Sequence, residues 1–289
     1  MLNSSFRRSA DPSPYAGLRT TCAWAAAVLA TIPLTAAEPA ASSMAAVHSG
    51  PSAQATVLFN GRDLTGWEVY LGGESGPAPV ATQAVFQVTD GTIQTYRNAE
   101  PGTKQPFGML VTKGEYGDYH LSLEYRWGDK KFAPRAGAEV PRDAGVCYHV
   151  QSPIELWPTS VECQIQYGDT GDAWVIKAQA TSVEHPDTRG FWELTDGGRE
   201  VTRGTVPLAY HRFVRRACME HDGWNRVEVI VRGDESTHVI NGQVVNRVTR
   251  MKRWDEASRS WQPLTRGRIL LQAEGAEIFY RNVTLTPLP

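Results

Sequence analysis

Short runs of alternating apolar and polar residues recur along the chain from about residue 56 to its end. The clearest run is Ser160–Tyr167, in which one face carries Glu162, Gln164 and Gln166 and the other carries Val, Cys and Ile. Successive side chains of a strand point to opposite faces, so this run predicts a strand whose polar face meets water or a polar ligand. Similar runs recur roughly every 8 to 14 residues without helical periodicity, which predicts an all-β sandwich or jelly roll.

Turn signals divide these runs. Asp90-Gly91 and Asn241-Gly242 each separate two apolar runs, and both dipeptides favour the left-handed backbone of a two-residue hairpin turn. Each therefore predicts a β-hairpin. The charged or Pro/Gly-rich segments Gly128–Arg142 and Met251–Thr265 lack alternation and predict loops.

The longest alternating run is His120–Trp127. Its polar face carries His120, Glu124 and Arg126, and the opposite charges at positions 124 and 126 predict a paired polar surface. We expect this surface to contribute to the same site as Glu162, although a solvated ion pair explains the pattern equally well.

Charge and composition narrow the class of protein. The 289 residues include 29 Lys and Arg against 31 Asp and Glu, which gives a formal net charge of −2. This balance argues against nucleic acid or an anionic membrane as a partner. Nine Trp and ten Tyr residues suit the apolar faces of sugars, but they equally suit a β-sandwich core.

The first residues differ from the rest. Three arginines, Arg7, Arg8 and Arg19, precede the apolar run Cys22–Leu34, and small residues follow at positions 35–37. This layout predicts a signal peptide over residues 1–37, with an uncleaved anchor as the alternative. Residues 38–55 are Ala/Ser/Pro-rich and predict a disordered linker. We therefore expect one mature domain, 56–289, in the periplasm or outside the cell, with no membrane association after cleavage.

Cysteine usage excludes a disulfide framework. After signal cleavage Cys147, Cys163 and Cys218 remain, an odd number; Cys163 lies on the apolar face of its strand, and a Cys147–Cys163 bridge is possible without being indicated. The cysteines lack metal-site spacing, so we expect no cofactor. Asp169 and Asp172 leave a divalent ion such as Ca²⁺ open, although turn chemistry explains them as well.

Seven segments in a fixed order resemble a known family. They are LFNGRDLTGW (58–67), GEYGDYHLSLEYRW (114–127), DAGVCYHV (143–150), VECQIQYGDTGD (161–172), GWNRVEVIV (223–231), HVINGQVV (238–245) and GRILLQAEGAEIFYRNVTL (267–285). This set resembles the secreted bacterial DUF1080 family, also called the 3-keto-disaccharide hydrolase domain. The resemblance implies a concanavalin A-like, LamG-type jelly-roll β-sandwich of two antiparallel sheets.

The resemblance also implies a reaction. Family members cleave glycosides whose sugar carries a ketone at C3, which acidifies the hydrogen at C2. A base removes that hydrogen, the C1 leaving group departs, and water adds to the product. Such a site needs a carboxylate or histidine base, donors for the enolate oxygen, and a proton for the leaving oxygen.

Two positions depart from the family pattern. Members often carry Asn-Ser-Gly where this chain has Asp143-Ala144-Gly145, and many carry His where this chain has Glu274. We expect both positions to lie near the polar face, so either the substrate or the activity differs here.

Three residues are candidates for catalysis: Glu162, His149 and Glu274. Glu162 is the proposed base, against a structural ion pair with a strand neighbour such as Arg126. Strict alternation places His149 on one face with Cys147, which suits an acid, a base or a sugar contact, against a histidine that caps the sheet edge. Glu274 stands in for the family's histidine.

The candidate substrate contacts share a place on or beside the predicted polar strands. They are Gln164, Arg126, Glu124, His120, His238, Gln272 and Trp174, with Trp157 as a further stacking candidate. For each, a cross-strand hydrogen bond, a surface ion pair or core packing is the structural alternative.

Three functions fit these patterns. We expect an enzyme that acts on an oligosaccharide or glycoside; a non-catalytic carbohydrate-binding module of the same fold is the alternative. An envelope scaffold protein is a third interpretation and predicts neither turnover nor sugar binding.

Overall fold

The computed structural model describes residues 54–72, 85–184 and 198–289. Within these ranges the chain forms eighteen β-strands and no helix, which confirms the all-β prediction. No helix in this part of the chain is long and apolar enough to cross a membrane. The predicted signal peptide lies outside the described residues, as does the predicted linker except for its last two residues.

The strands, numbered in chain order, have the following bounds: β1 (Thr56–Val57), β2 (Trp67–Leu71), β3 (Phe86–Thr89), β4 (Thr92–Thr95), β5 (Gly108–Thr112), β6 (Tyr119–Lys131), β7 (Asp143–Val150), β8 (Ser160–Gln166), β9 (Ala173–Ile176), β10 (Ala178–Glu184), β11 (Arg199–Arg203), β12 (Tyr210–Phe213), β13 (Asn225–Arg232), β14 (Glu235–Ile240), β15 (Gln243–Asp255), β16 (Ser260–Pro263), β17 (Arg268–Ala273) and β18 (Ala276–Pro287).

These strands form two antiparallel sheets. In the described part of the chain the smaller sheet has seven strands, in the order β12-β9-β8-β7-β17-β5-β2. The larger has eleven, in the order β11-β10-β15-β14-β13-β6-β18-β4-β3, with β1 beside β18 and β16 beside β15. Each sheet combines hairpin neighbours with neighbours that are distant in the chain, such as β7 with β17 and β6 with β18, as expected of a jelly roll.

The two sheets pack face to face through one apolar core. Alternate residues of β6 and β8 meet there with fully buried side chains, namely Leu121, Leu123, Tyr125, Val161, Cys163 and Ile165. Burial of these residues removes apolar surface from water, which is the main favourable term in folding. The alternation predicted for both strands is confirmed, and with it the outward direction of Glu162 and Glu124.

A smaller apolar cluster covers the outer face of the seven-stranded sheet. Cys147 of β7 and Leu270 of β17 belong to it, and Leu156 and Trp157 from the segment after β7 pack against it. The polar residues on this face therefore lie in a largely dry setting. The face is not the open, wet surface that the polar row of β8 suggested.

Both predicted hairpins are confirmed. Asp90 and Asn241 begin the β3–β4 and β14–β15 turns with φ of 49° and 50°, and the glycine that follows each also has positive φ. This is the backbone that a type I′ turn needs.

Two predicted loops are partly wrong. Segment Met251–Thr265 is a hairpin of β15 and β16, in which Trp254 pairs with Trp261 at a ring-centroid distance of 5.4 Å. Its charged residues hid the alternation because the hairpin has little apolar face. The loop predicted over Gly128–Arg142 begins only after Lys131, because β6 continues to that residue.

The positions of Cys147 and Cys163 decide whether the two cysteines could form the bridge considered above. Cys163 lies in the core between the sheets, as expected, whereas Cys147 lies on the outer face of the smaller sheet. Opposite faces exclude a bridge between them, and the described cysteines form no disulfide.

Candidate active site

Backbone pairing brings polar residues together on the outer face of the smaller sheet. Glu162 of β8 pairs with Cys147 of β7 on one side and with Trp174 of β9 on the other. One step along, Gln164 pairs with Gly145. Directly paired residues of antiparallel strands share a face, so these side chains form two adjacent rows that point away from the core.

Gly145 leaves a gap in the second row. A Cβ atom at this position would lie 2.0 Å from Oε1 of Glu162 and 2.4 Å from Oε1 of Gln272 on β17. Both oxygens therefore converge over bare backbone. A glycine is required here for close approach rather than for an unusual backbone angle.

Asp143 holds the carboxamide of Gln164. Nε2 of Gln164 donates to Oδ1 of Asp143 at 2.7 Å, and Nη1 of Arg135 donates to Oδ2 of the same carboxylate. The orientation of the Gln164 amide is thereby fixed, with its donor end toward Asp143.

Glu274 is held from two sides. The indole nitrogen of Trp157 donates to Oε1 at 2.6 Å, and Nη2 of Arg135 lies 3.6 Å from Oε2. Arg135 thus bridges Asp143 and Glu274, which are the two positions that depart from the family pattern. The expectation that both lie near the polar face is confirmed.

This site is deeply buried and contains three carboxyl groups. Asp143, Glu162 and Glu274 are 2–5% exposed, and Gln164 and Gln272 are 6% and 2% exposed. Burial, reinforced by the charge of Glu162, raises the pKa of the Cys147 thiol well above its ordinary value. The thiol therefore stays protonated at neutral pH, which excludes it as a nucleophile.

A second ionic cluster adjoins the site beyond Trp174. The guanidinium of Arg212 lies 5.8 Å from the Trp174 ring and pairs with Asp172, which is fully buried. Arg215 donates to Asp172 at 3.0 Å and to Asp169 at 2.8 Å. The two aspartates considered as Ca²⁺ ligands thus form ion pairs with these arginines. The described residues contain no cluster of three or more His, Cys, Asp or Glu side chains that could hold a metal ion.

The predicted placement of His149 beside Cys147 is wrong. The pairing of β7 with β17 shifts register at this end, and His149 has a φ of 52°. The irregularity turns the imidazole between the sheets, where Nε2 donates to the carbonyl oxygen of Gly233 at 3.1 Å. Burial lowers the pKa of His149 to about 4. His149 does not line the site.

His238 also lies between the sheets and not in the site. Its Nδ1 donates to the carbonyl oxygen of Gly171 at 3.2 Å, so Nε2 accepts the hydroxyl hydrogen of Tyr148 at 3.0 Å. Burial lowers the pKa of His238 to about 4. His238 is two residues from Ile240 and so shares its face of β14 with a core residue, a signal that the sequence interpretation passed over.

The polar face of β6 belongs to the other side of the molecule. His120, Glu124 and Arg126 lie on the outer face of the larger sheet, so both sheets and the core separate them from Glu162. Glu124 pairs with Arg281 at 2.7 Å rather than with Arg126. The guanidinium of Arg126 lies 4.1 Å from the Phe279 ring. Their predicted role in one site with Glu162 is wrong. Alternation shows that a strand has a polar face, but it does not show to which of the two sheets the strand belongs.

Six predicted residues do come together: Glu162, Gln164, Gln272, Glu274, Trp174 and Trp157. Sequence reasoning missed Arg135, which lies in a segment predicted as a plain loop, and Arg212. No periodic pattern marks either residue. Only the cluster of buried carboxyl groups could have indicated a nearby cation.

Fold and site together define a jelly-roll β-sandwich with a covered polar site on one sheet. The family model of the 3-keto-alpha-glucoside-1,2-lyase-like domain matches residues 54–286, and the chain belongs to this family. The resemblance seen in the sequence is thereby confirmed.

Solved structures with a similar backbone trace have low sequence identity to this chain. Two proteins from Parabacteroides distasonis ATCC 8503, each provisionally named a glycosyl hydrolase, are 20% and 16% identical, with TM-scores of 0.46 and 0.47. Each match covers 81% of this chain, and 94% and 100% of the other chain. The carbohydrate-binding module CBM66 from Bacillus subtilis is 9% identical, with a TM-score of 0.38, over 76% of this chain and 95% of that chain. No curated protein matches the sequence.

Proposed function

We propose that the protein cleaves glycosides of 3-keto sugars by β-elimination between C1 and C2, followed by addition of water. The observation that carries the proposal is the placement of Glu162, a carboxylate over the bare backbone of Gly145 and beside the carboxamides of Gln164 and Gln272. Family membership supports the reaction class, because the family is described by a 1,2-lyase of 3-keto-glucosides.

The reaction needs one base and leaves no atom unaccounted for. Glu162 takes the proton from C2, and the C–H electron pair delocalises onto the ketone oxygen at C3 as an enolate. The C1–O bond then breaks, a C1=C2 double bond forms, and the electron pair leaves with the aglycone oxygen, which takes up the proton that Glu162 removed, directly or through water, so that Glu162 is again a carboxylate. Water added across the double bond gives the free 3-keto sugar.

The neighbours of Glu162 suit the remaining tasks. Gln164 donates one amide hydrogen to Asp143, which leaves its second hydrogen for the enolate oxygen. Trp174, directly paired with Glu162, offers an aromatic surface for a sugar ring. Glu274 accepts a hydrogen bond from Trp157 and forms an ion pair with Arg135 at 3.6 Å, and we assign to it the orientation of a polar group of the substrate.

The test is turnover of a 3-keto-glucoside with a chromogenic aglycone. The wild type should release the aglycone, and Glu162→Gln should lose at least roughly 100-fold of that rate, in line with removal of a general base. Glu228→Gln is the matched control, because Glu228 undergoes the same chemical change on the larger sheet, where it contacts His120. Full activity in Glu162→Gln would remove Glu162 from this role.

A non-catalytic sugar-binding module is the competing function, and the same assay separates the two. A wild type that binds the 3-keto-glucoside by calorimetry without releasing the aglycone would favour the module. A wild type that does neither would favour the scaffold interpretation.

A further inference from the structure

A strip of five apolar residues lies at the surface beside the edge of the smaller sheet. It covers residues 206–210, Val-Pro-Leu-Ala-Tyr, and ends at the first residue of the edge strand β12. Val206, Leu208 and Tyr210 are 52%, 37% and 40% exposed, and they are three of the five large apolar side chains that are exposed in the described part of the chain. Single exposed apolar residues are ordinary, but a cluster of them marks a contact surface.

The apolar strip adjoins the candidate active site. The ring of Tyr210 packs edge-on against Trp157 at a centroid distance of 6.2 Å, and the indole nitrogen of Trp157 donates to Glu274 at 2.6 Å. Through the pairing of β12, β9 and β8, Tyr210 is in register with Ser160, two residues before Glu162. Two strand spacings and one pair of residues separate Tyr210 from Glu162, which is about 12 Å between their backbones. A group of one or two rings attached to a sugar at Glu162 spans this distance.

The chemistry of the apolar strip favours an apolar ligand over a second sugar. Residues 204–210 carry no charged and no carboxamide side chain. The hydroxyl of Thr205 already donates to the carbonyl oxygen of Pro207 at 3.1 Å, and the carbonyl oxygen of Ala209 accepts from the backbone nitrogen of Lys177 at 3.0 Å. A second sugar would need several hydrogen-bonding partners here, whereas an apolar ring needs only contact area.

We infer that residues 206–210 bind the aglycone of the substrate, and that this aglycone is an apolar ring system. The inference rests on the proposed function and names the substrate class of the same site. With the sugar at Glu162, the glycosidic bond points toward β12, and the aglycone lies beside Trp157 and Tyr210. The reaction itself is unchanged, because the same elimination releases the aglycone as an alcohol or a phenol.

The experiment compares two 3-keto-glucosides, one with 2-naphthol and one with glucose as the aglycone. Leu208→Asn keeps the size of the side chain and removes its apolar contact, so it should lower kcat/KM for the naphthyl substrate roughly 5- to 10-fold. The loss should appear in KM, because this contact is the same in the ground state and the transition state. Turnover of the disaccharide should be unchanged. The matched control is Val57→Asn, since Val57 is 64% exposed on β1 of the larger sheet.

The outcomes separate this inference from the proposed function. Equal losses on both substrates, an unchanged KM for the naphthyl substrate, or a wild type that cleaves only the disaccharide would overturn the inference and leave the reaction intact. A wild-type dimer that Leu208→Asn dissociates in analytical ultracentrifugation would also overturn it, because the apolar strip would then contact a second copy of the chain. A wild type that cleaves neither substrate would overturn the reaction instead. Calorimetry with 2-naphthyl glucoside then decides: weaker binding by Leu208→Asn than by Val57→Asn supports the inference, and equal or absent binding overturns it.

Discussion

The absence of a side chain at Gly145 organises the site at the scale of single residues. Oxygens of Glu162 and Gln272 occupy the space that any other residue would fill. The backbone of Gly145 is otherwise an ordinary strand residue, paired with Gln164 on β8. Its role therefore lies in what it leaves open above the sheet.

Gly145→Ala should separate activity from folding. The new methyl group would collide with the ends of two buried side chains, which must shift, so we expect the variant to fold but to lose about 1–3 kcal/mol of stability. Displacement of the base by about 1 Å should reduce kcat roughly 100-fold. In the control, Gly117→Ala, the added carbon would have an ordinary contact of 3.6 Å with a backbone oxygen. Normal turnover in Gly145→Ala would show that the position of Glu162 is not critical.

Alternation correctly predicted that Glu162 and Gln164 point away from the core, because β8 is regular throughout. The same reasoning failed at His149 because the register shift at the end of β7 depends on the partner strand, β17. A residue's own neighbours in the chain do not encode that irregularity. Residue positions in regular strands were thus predictable, and those at strand irregularities were not.

At the scale of elements, the segment between β6 and β7 completes the site by contributing Arg135. The chain backbone there is tied to the turn between β17 and β18, since the nitrogen of Phe132 donates to the carbonyl oxygen of Gly275 at 2.9 Å. Arg135 then bridges Asp143 at the start of β7 and Glu274 after β17. A cation supplied by a loop thereby offsets part of the charge that two strands bury.

Arg135→Met should be strongly destabilising for a single change. The side chain of Arg135 is 17% exposed, and its loss leaves two buried carboxylates without this cation. We expect the free energy of unfolding in urea to fall by about 3 kcal/mol. Arg226→Met is the matched control, because Arg226 is 57% exposed and its pair with Glu124 should contribute less than about 1 kcal/mol.

A second change checks the cause. Asp143→Asn removes one of the two carboxylates, so the Arg135→Met/Asp143→Asn double variant should recover part of the lost stability. Strictly additive losses would show that Arg135 acts by packing rather than by charge. The loop's contribution was outside the reach of pattern analysis, since Arg135 follows a proline in a segment without alternation.

For the whole molecule, two buried histidines couple folding to pH. His149 and His238 lie between the sheets, and burial lowers the pKa of each to about 4. An unfolded histidine titrates near 6.5. Between these values the unfolded chain binds protons that the folded chain does not, so stability rises with pH across this window.

The free energy of unfolding should therefore fall as pH drops from 6.5 toward 4, by roughly 2 kcal/mol per pH unit from the two histidines together. Urea unfolding at several pH values measures this slope. His238→Gln should flatten it relative to the wild type, whereas His120→Gln, at a side chain 37% exposed on the larger sheet, should not. An unchanged slope in His238→Gln would contradict the account of a neutral, buried imidazole.

The sandwich architecture was predictable because alternation and turn residues report locally on strands and hairpins. The assignment of polar faces to sheets was not, because β6 and β8 have the same pattern but face opposite sides of the molecule. Which strands neighbour each other depends on contacts distant in the chain. The set of residues that form the site therefore could be identified only from the three-dimensional structure.

The central claim is that Glu162 takes a proton from carbon, and isotope incorporation tests it most directly. The wild type is incubated with a 3-keto-glucoside in deuterium oxide, and the sugar product is analysed at an early time against an enzyme-free control. Elimination and hydration predict deuterium at C2 of the product, with both cleavage and incorporation lost in Glu162→Gln. Cleavage that leaves hydrogen at C2 would contradict the account, because it would show that the bond breaks without removal of that proton.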